Sequence, residues 1–199
     1  MSIRIAQTED LSQMLAIYAP YVENTAYSFE YTVPTLDEFA ARFENYTKQF
    51  PWLVWEENGQ VLGYAYGSAP FERAAFGWCA EVSIYLCPQA HRQGIGRKLY
   101  QALEEILKLQ GYRKLYALVT SENQNSVAFH KALGYRHMAL FPDCGYKFDR
   151  LHGLIWLEKD LNFVENTKAA PMPFPALGKN SQKLQDILAN MSLSKWDKM

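Results

Sequence analysis

One stretch of the chain decides the fold: Glu81-Val-Ser-Ile-Tyr-Leu-Cys-Pro-Gln-Ala-His-Arg-Gln-Gly-Ile-Gly-Arg-Lys-Leu99. It reads as a buried strand, a short loop and an amphipathic helix opened by Gly94-Ile95-Gly96. The first backbone N–H groups of such a helix have no partner within it and lie at the positive end of its dipole, so they favour a phosphate. Glu81 lies at the start of the strand and is a possible general base, close to the rest of a ligand whose phosphate binds at the loop.

The glycine loop is not specific by itself. It is not a P-loop, because Gly-x-x-x-x-Gly-Lys-Ser/Thr is absent. It is not a dinucleotide-binding fingerprint either, because a third glycine and an acidic ribose partner are missing. The remainder of the chain must therefore decide between a phosphate site and an ordinary turn.

The composition indicates a globular protein of one domain, or one domain with an appendage. The chain has 199 residues, 49% of them hydrophobic, and a net charge of −1, so nothing favours nucleic acid as a partner. The three cysteines form no metal-ligand pairs and suit reduced thiols in a cytosol. No apolar run is long enough to cross a bilayer. We expect a cytoplasmic protein with no metal and no membrane partner.

Hydrophobic periodicity predicts a strand, two helices, three strands, a helix, a strand, a helix and two closing strands. Thr8 is predicted to cap the first helix, and a capping box over Thr35-Leu-Asp-Glu38 the second. Asn58-Gly59 predicts a tight hairpin turn. The closing strands are predicted around His137–Leu140 and Leu154–Glu158. This order favours an α/β or α+β fold with a mixed sheet.

The composition changes near the C-terminus, so we divide the chain into a domain over residues 1–161 and an extension over residues 162–199. Pro171-Met-Pro-Phe-Pro175 predicts a stiff, extended linker. Apolar residues then recur at helical spacing and predict a short amphipathic helix that packs on the domain or on a neighbouring subunit: Leu184, Ile187, Leu188 and Met191.

The element order and the glycine loop resemble the Gcn5-related N-acetyltransferase (GNAT) superfamily. The segment that binds the pyrophosphate of acetyl-CoA in that family is matched by His91-Arg92-Gln93-Gly94-Ile95-Gly96, with His91 where Arg or Gln is usual. Further phrases resemble the phosphinothricin and methionine sulfone/sulfoximine acetyltransferase branch: Pro51-Trp52-Leu53-Val54, Gly63-Tyr64-Ala65-Tyr66, Glu81–Leu86 and Gly145-Tyr146-Lys147-Phe148. The resemblance covers residues 3–161.

The resemblance implies a GNAT fold, with a mixed central sheet of six to seven strands, about four helices and a V-shaped splay between the fourth and fifth strands. It implies acetyl-CoA as the co-substrate and a homodimer as the assembly. The coenzyme contacts that it implies are Ile84, Tyr85, Leu86, Arg92, Gln93, Gly94, Ile95, Gly96, Arg97 and Asn123. Asn123 would equally be favoured as a helix cap.

The implied reaction is direct acetyl transfer, in a ternary complex, to the α-amine of a small amino acid or analogue. Glu81 matches the branch's base, and His130 is a candidate acid for the leaving thiolate, although a helix histidine is more often structural. Acceptor contacts are implied at Phe29, Phe71, Arg73 and Lys147, with core packing as the alternative for the aromatic rings. Two other functions stay open: acetylation of a peptide or protein amine, and acetyl-CoA binding without catalysis.

Positions near the implied acceptor pocket depart from the branch pattern. Phe76 stands where Tyr is common, and Leu151 and Gly153 occupy positions often filled by Trp and Asp. Fewer polar groups there indicate a different acceptor.

Overall fold

A seven-stranded mixed sheet with the strand order β1-β2-β3-β4-β5-β7-β6 forms the centre of the molecule. The computed structural model describes residues 1–161, 169–178 and 181–192. The strands are β1 Ser2–Ile5, β2 Trp52–Glu57, β3 Gln60–Ser68, β4 Cys79–Leu86, β5 Lys114–Thr120, β6 Arg136–Lys147 and β7 Arg150–Asp160. The α-helices are α1 Leu11–Asn24, α2 Leu36–Thr47, α3 Ile95–Gln110, α4 Gln124–Ala132 and α5 Gln182–Ser192. The predicted GNAT architecture is confirmed.

Helices cover both faces of the sheet. Helix α3 buries an apolar stripe, which includes Leu99, Leu103 and Leu107, against one face, because these residues recur at helical spacing. Helices α1 and α2 cover the other face and enclose a separate core around Trp52 and Tyr64. Side chains alternate along each strand, so neighbouring residues contribute to opposite cores.

The N-terminal predictions are confirmed except at Thr8. Thr8 does not cap α1; it begins a 3-10 turn over Thr8–Asp10, and the Asp10 carboxylate accepts the Gln7 N–H at 2.8 Å. The sequence pattern predicted that the Thr8 hydroxyl would form the cap. The Asp10 carboxylate forms it instead, and an ion pair with Arg4 holds that carboxylate in place. The capping box of α2 forms as predicted.

The closing hairpin is much longer than the sequence predicted. Strand β6 continues past His137–Leu140 because a register shift between Phe141 and Gly145 absorbs the extra residues. The turn to β7 is formed by Phe148 and Asp149, both in the left-handed region, with φ of 51° and 57°. A turn of this type is usually recognised in a sequence by Asn or Gly, as at Asn58-Gly59. The turn at Phe148-Asp149 has neither residue, so the sequence did not predict it.

The C-terminal segments pack on the domain. Part of the predicted linker forms a 3-10 turn over Phe174–Leu177, with Phe174 buried and its N–H bonded to the Gln49 carbonyl at 3.1 Å. Helix α5 lies against α3 and β1 and buries Leu184 and Leu188. Residues 162–168, 179–180 and 193–199 of the predicted extension lie outside the described residues. No helix of the described segments is long and apolar enough to cross a membrane.

We expect Leu184→Ala to lower the free energy of unfolding by roughly 2–4 kcal/mol, because it leaves a cavity between α5 and α3. Urea denaturation followed by circular dichroism measures the change. Lys183→Ala, at an exposed neighbouring position of the same helix, is the control and should leave the midpoint unchanged. Equal midpoints for the two variants would show that α5 contributes nothing to stability.

Candidate active site

A cleft opens where β4 and β5 separate. The two strands run parallel and pair at only three positions, Cys79–Glu81 with Lys114–Tyr116. Beyond Glu81, β4 stays paired with β3, and beyond Tyr116, β5 stays paired with β7. The cleft between them is lined by Val82, Ser83, Ile84, Tyr85, Ala117, Leu118, Val119, Thr120, Asn123, Ser126, Tyr100 and His130. This is the V-shaped splay that the sequence predicted.

The loop after β4 presents backbone amides at the open end of this cleft. Arg92 and Gly94 both adopt positive φ, 59° and 77°, which turns the chain sharply into α3. Bonding within the helix starts with the Lys98 N–H to the Gly94 carbonyl, so the amides of the first turn remain available to a ligand. A Cβ at Gly96 would lie 3.2 Å from Leu86 Cδ1, so a larger residue there would require the Leu86 side chain to shift.

The side chains of the loop are mostly exposed. Arg92 and Arg97 are exposed, while the Gln93 amide nitrogen donates to the Gln89 carbonyl at 2.5 Å. The predicted phosphate-binding residues thus lie on one loop and the first turn of α3, where the Gln93 side chain bonds to the loop backbone.

Tyr21, which the sequence analysis missed, reaches the backbone edge of β4. Its hydroxyl donates to the Leu86 carbonyl at 2.7 Å and accepts from the Leu86 N–H at 3.4 Å. The ring of Tyr21 packs edge-on against Tyr85 at 5.2 Å. A ligand that hydrogen-bonds to Leu86 must therefore replace this phenol. Only the fold could reveal this contact, because 65 residues separate the two partners.

Glu81 lies at the point where the strands diverge. Its neighbours in register are Ser68 on β3 and Tyr116 on β5. The carboxylate is half-buried and has no hydrogen-bond or ion-pair partner among the described residues. Burial alone raises the pKa of Glu81. A carboxylate with a raised pKa and no partner among the described residues, at the apex of a cleft, is well suited to accept a proton.

The comparisons with known proteins agree with this geometry. Residues 3–156 match the family model described as an acetyltransferase (GNAT) domain. The chain belongs to the GNAT acetyltransferase family. It is 36% identical to a methionine sulfoximine/methionine sulfone acetyltransferase from Pseudomonas aeruginosa, over 85% of this chain and 98% of that protein. It is 34% identical to a phosphinothricin N-acetyltransferase from Alcaligenes faecalis, over 83% of this chain and 85% of that protein.

A solved structure of the GNAT superfamily shares this architecture. The chain is similar to a phosphinothricin acetyltransferase from Sinorhizobium meliloti in complex with acetyl-CoA, with a TM-score of 0.79 and 34% identity. The match covers 86% of this chain and 92% of that chain.

His130 of this GNAT domain is buried and holds its neighbours in place. Its Nδ1 donates to the Ser126 carbonyl at 2.7 Å, which leaves Nε2 as an acceptor 2.8 Å from the Tyr100 hydroxyl; that hydroxyl also lies 3.2 Å from the Val82 carbonyl. Desolvation lowers the pKa of His130 to about 4, so the ring is neutral near pH 7. The proton of the neutral ring is held by the Ser126 carbonyl, and this argues against the predicted acid role. The arrangement favours a positioning role for His130.

The contacts of Lys147 argue against the predicted contact with an acceptor carboxylate. The side chain is buried, and Nζ donates to the carbonyls of Val22, Thr25 and Ser28 at 2.6, 3.0 and 2.8 Å. These three bonds use all the donors of the ammonium group. Lys147 instead ties the segment after α1 to β6.

Of the other acceptor candidates, Phe71 lies next to Tyr116, the partner of Glu81 on β5. Phe71 stacks on Trp156, with ring centroids 5.6 Å apart, and the Arg73 side chain is exposed two residues further along the same loop. Phe29 packs over Gly145, where a Cβ would overlap its ring. Asn123 caps α4, since its side-chain oxygen accepts the Ser126 N–H at 3.1 Å.

We expect Lys147→Met to lower the free energy of unfolding by roughly 2–4 kcal/mol, because three buried carbonyls lose their donor. Thermal and urea denaturation measure the loss. Lys131→Met, at an exposed site on α4, is the matched control and should behave like the unmodified protein. A stable Lys147→Met variant that binds acceptor less tightly would restore the original interpretation.

Proposed function

We propose that this protein transfers the acetyl group of acetyl-CoA to the α-amine of a small amino acid or amino-acid analogue. The observation that carries the proposal is the unpartnered, half-buried carboxylate of Glu81 on the strand that borders the cleft and leads into the amide-rich loop. The names of the relatives, which act on phosphinothricin and on methionine sulfone or sulfoximine, support this acceptor class.

Different residues bind the co-substrate and accept the proton, and they lie at opposite ends of the cleft. The first amides of α3, with Arg92 and Arg97, suit the pyrophosphate of the co-substrate, and the backbone of Ile84 and Leu86 suits its extended arm. The Leu86 groups become available when the Tyr21 hydroxyl moves away. Glu81 takes a proton from the acceptor's ammonium group, directly or through a water, which frees the nitrogen lone pair for attack on the thioester.

Arg73 is our candidate for binding the acceptor's carboxylate. It is exposed on the loop that carries Phe71, and a guanidinium matches a carboxylate in a two-pronged geometry. Arg73 suits this role better than Lys147, whose ammonium group already donates to three carbonyls. The free cysteines Cys79, Cys87 and Cys144 suit a reducing cytoplasm, where we place the protein.

We expect Glu81→Gln to fold normally and to lose roughly 10²–10⁴-fold in kcat, because the amide cannot accept the proton. Thiol release from acetyl-CoA, scanned over amino acids, their analogues and short peptides, measures turnover. Glu105→Gln, at an exposed position on α3, is the matched control. Full activity of Glu81→Gln would remove this residue from the mechanism, and turnover confined to peptides would replace the small acceptor.

The pH profile gives a second readout of the same group. Because burial raises the pKa of Glu81 and its ionised form acts, kcat/KM should fall as the pH drops through a value above the usual glutamate range. His130, with a pKa near 4, should add no limb between about pH 5 and 8. Loss of the acid limb in an active Glu81→Gln variant would identify Glu81 as its source.

We further propose that the protein is a homodimer assembled through the β6–β7 hairpin. Strand β6 ends the sheet, and its outer edge faces no other strand among the described residues. Large apolar side chains are exposed along this hairpin: Met138, Leu140, Phe141, Tyr146, Phe148 and Leu151. An apolar edge of this kind is more stable when a second copy of the chain covers it.

We expect sedimentation equilibrium to give twice the mass of the chain. The double variant Leu140→Glu, Phe148→Glu should sediment as a monomer, because it places charges in the apolar contact. Leu36→Glu, at an equally exposed site on α2, should remain dimeric. A monomeric unmodified protein would refute the dimer.

A further inference from the structure

The Tyr21 hydroxyl closes the edge of β4 at the end where the glycine loop begins. The Cys87 N–H donates to the Leu62 carbonyl of β3 at 3.0 Å. Successive residues of a strand direct their N–H and carbonyl groups to opposite edges, so those of Leu86 face the cleft. Both Leu86 groups meet a single atom, the Tyr21 phenol oxygen, at 3.4 and 2.7 Å. The phenol therefore occupies the place that a bound ligand would take beside Leu86.

A groove next to Tyr21 can receive its ring when the phenol leaves Leu86. The groove lies between α1 and the start of the loop after β4, and its volume is about 540 Å³. Tyr21 lines both this groove and the cleft, so a rotation of its side chain can move the phenol from one to the other. Apolar side chains line much of the groove, among them Ile17, Pro20, Val61 and Cys87.

His91 offers the displaced phenol a new hydrogen-bond partner. It lines the same groove, and its exposed ring places Nε2 3.5 Å from the Tyr21 oxygen, at the limit of a hydrogen bond. His91 stands where Arg or Gln is usual in the related loop. A neutral imidazole has one acceptor nitrogen, whereas a guanidinium has none. His91 can therefore accept the O–H that Leu86 gives up.

We propose that Tyr21 is a latch that sets the affinity for acetyl-CoA, and that His91 accepts its hydroxyl when the co-substrate bonds to Leu86. This inference rests on the acetyltransferase function proposed above and adds two residues that determine how tightly the co-substrate binds. A ligand arm that bonds to Leu86 must first break the phenol contact at 2.7 Å, so the closed latch lowers the observed affinity. The bond from Tyr21 to His91 offsets part of that cost.

Removal of the Tyr21 hydroxyl tests the latch. Tyr21→Phe keeps the ring that packs on Tyr85 and deletes the contact with Leu86. The Kd for acetyl-CoA, measured by calorimetry, should fall by roughly threefold or more, because the net free energy of one hydrogen bond no longer opposes binding. Tyr31→Phe is the matched control and should leave the Kd unchanged, since its hydroxyl also donates to a backbone carbonyl, that of Tyr146 at 2.7 Å.

A double-mutant cycle tests the role of His91. His91→Ala should raise the Kd for acetyl-CoA by roughly threefold while Tyr21 is present, because the released phenol loses its acceptor. In the Tyr21→Phe background the same change should leave the Kd unaltered, since no hydroxyl is released. An effect of equal size in both backgrounds would show that His91 contacts the co-substrate itself and would overturn its assignment to Tyr21.

The outcomes separate the latch from the proposed function. If the unmodified protein binds and turns over acetyl-CoA, and Tyr21→Phe binds it no more tightly, the latch is wrong while the acetyltransferase function stands. If the unmodified protein and its variants all fail to bind acetyl-CoA, both proposals fail together. Tighter binding by Tyr21→Phe, with a His91 effect that depends on Tyr21, supports the latch and the use of Leu86 by the co-substrate.

Discussion

The parallel ladder between β4 and β5 ends after three residue pairs, and the organisation of the site follows from this early end. Each strand keeps its other partner, β3 or β7, so beyond the third pair the β4 and β5 backbones follow different neighbours and separate. The gap exposes the β4 edge at Ile84 and Leu86. It also places Glu81, the last paired residue of β4, at the apex of the cleft.

Lys147 and Glu81 illustrate how the partners of a charged side chain decide its role. The Lys147 ammonium group donates to three carbonyls, and these bonds hold the chain at and after the end of α1 against β6. Glu81 has no such partners among the described residues, and desolvation shifts its pKa upward. A group whose charge is neutralised by the fold stabilises structure, whereas a group left without a partner is available for chemistry.

Helix α5 of the C-terminal extension shows why the sequence predicted some elements only in part. The helical spacing of Leu184 and Leu188 predicted α5, and both alternatives for its packing were compatible with that pattern. In the structure α5 packs on the domain of the same chain, because it contacts α3. In addition, the Ser192 hydroxyl oxygen accepts the N–H of Ile3, on the edge strand β1, at 2.8 Å. Local pattern fixes which face of a helix is apolar; the partner of that face is a long-range property.

The sequence by itself determined the element order, the phosphate-type loop and the position of Glu81 on its strand, because periodicity, glycine placement and strand polarity are local properties. Tertiary structure decided which side chains are free to act. Lys147, His130 and Tyr21 find their roles through partners distant in the chain or through burial. The ring contacts among Phe71, Tyr116, Phe141 and Trp156 likewise join a loop, β5, β6 and β7, and they exist only after the sheet has assembled.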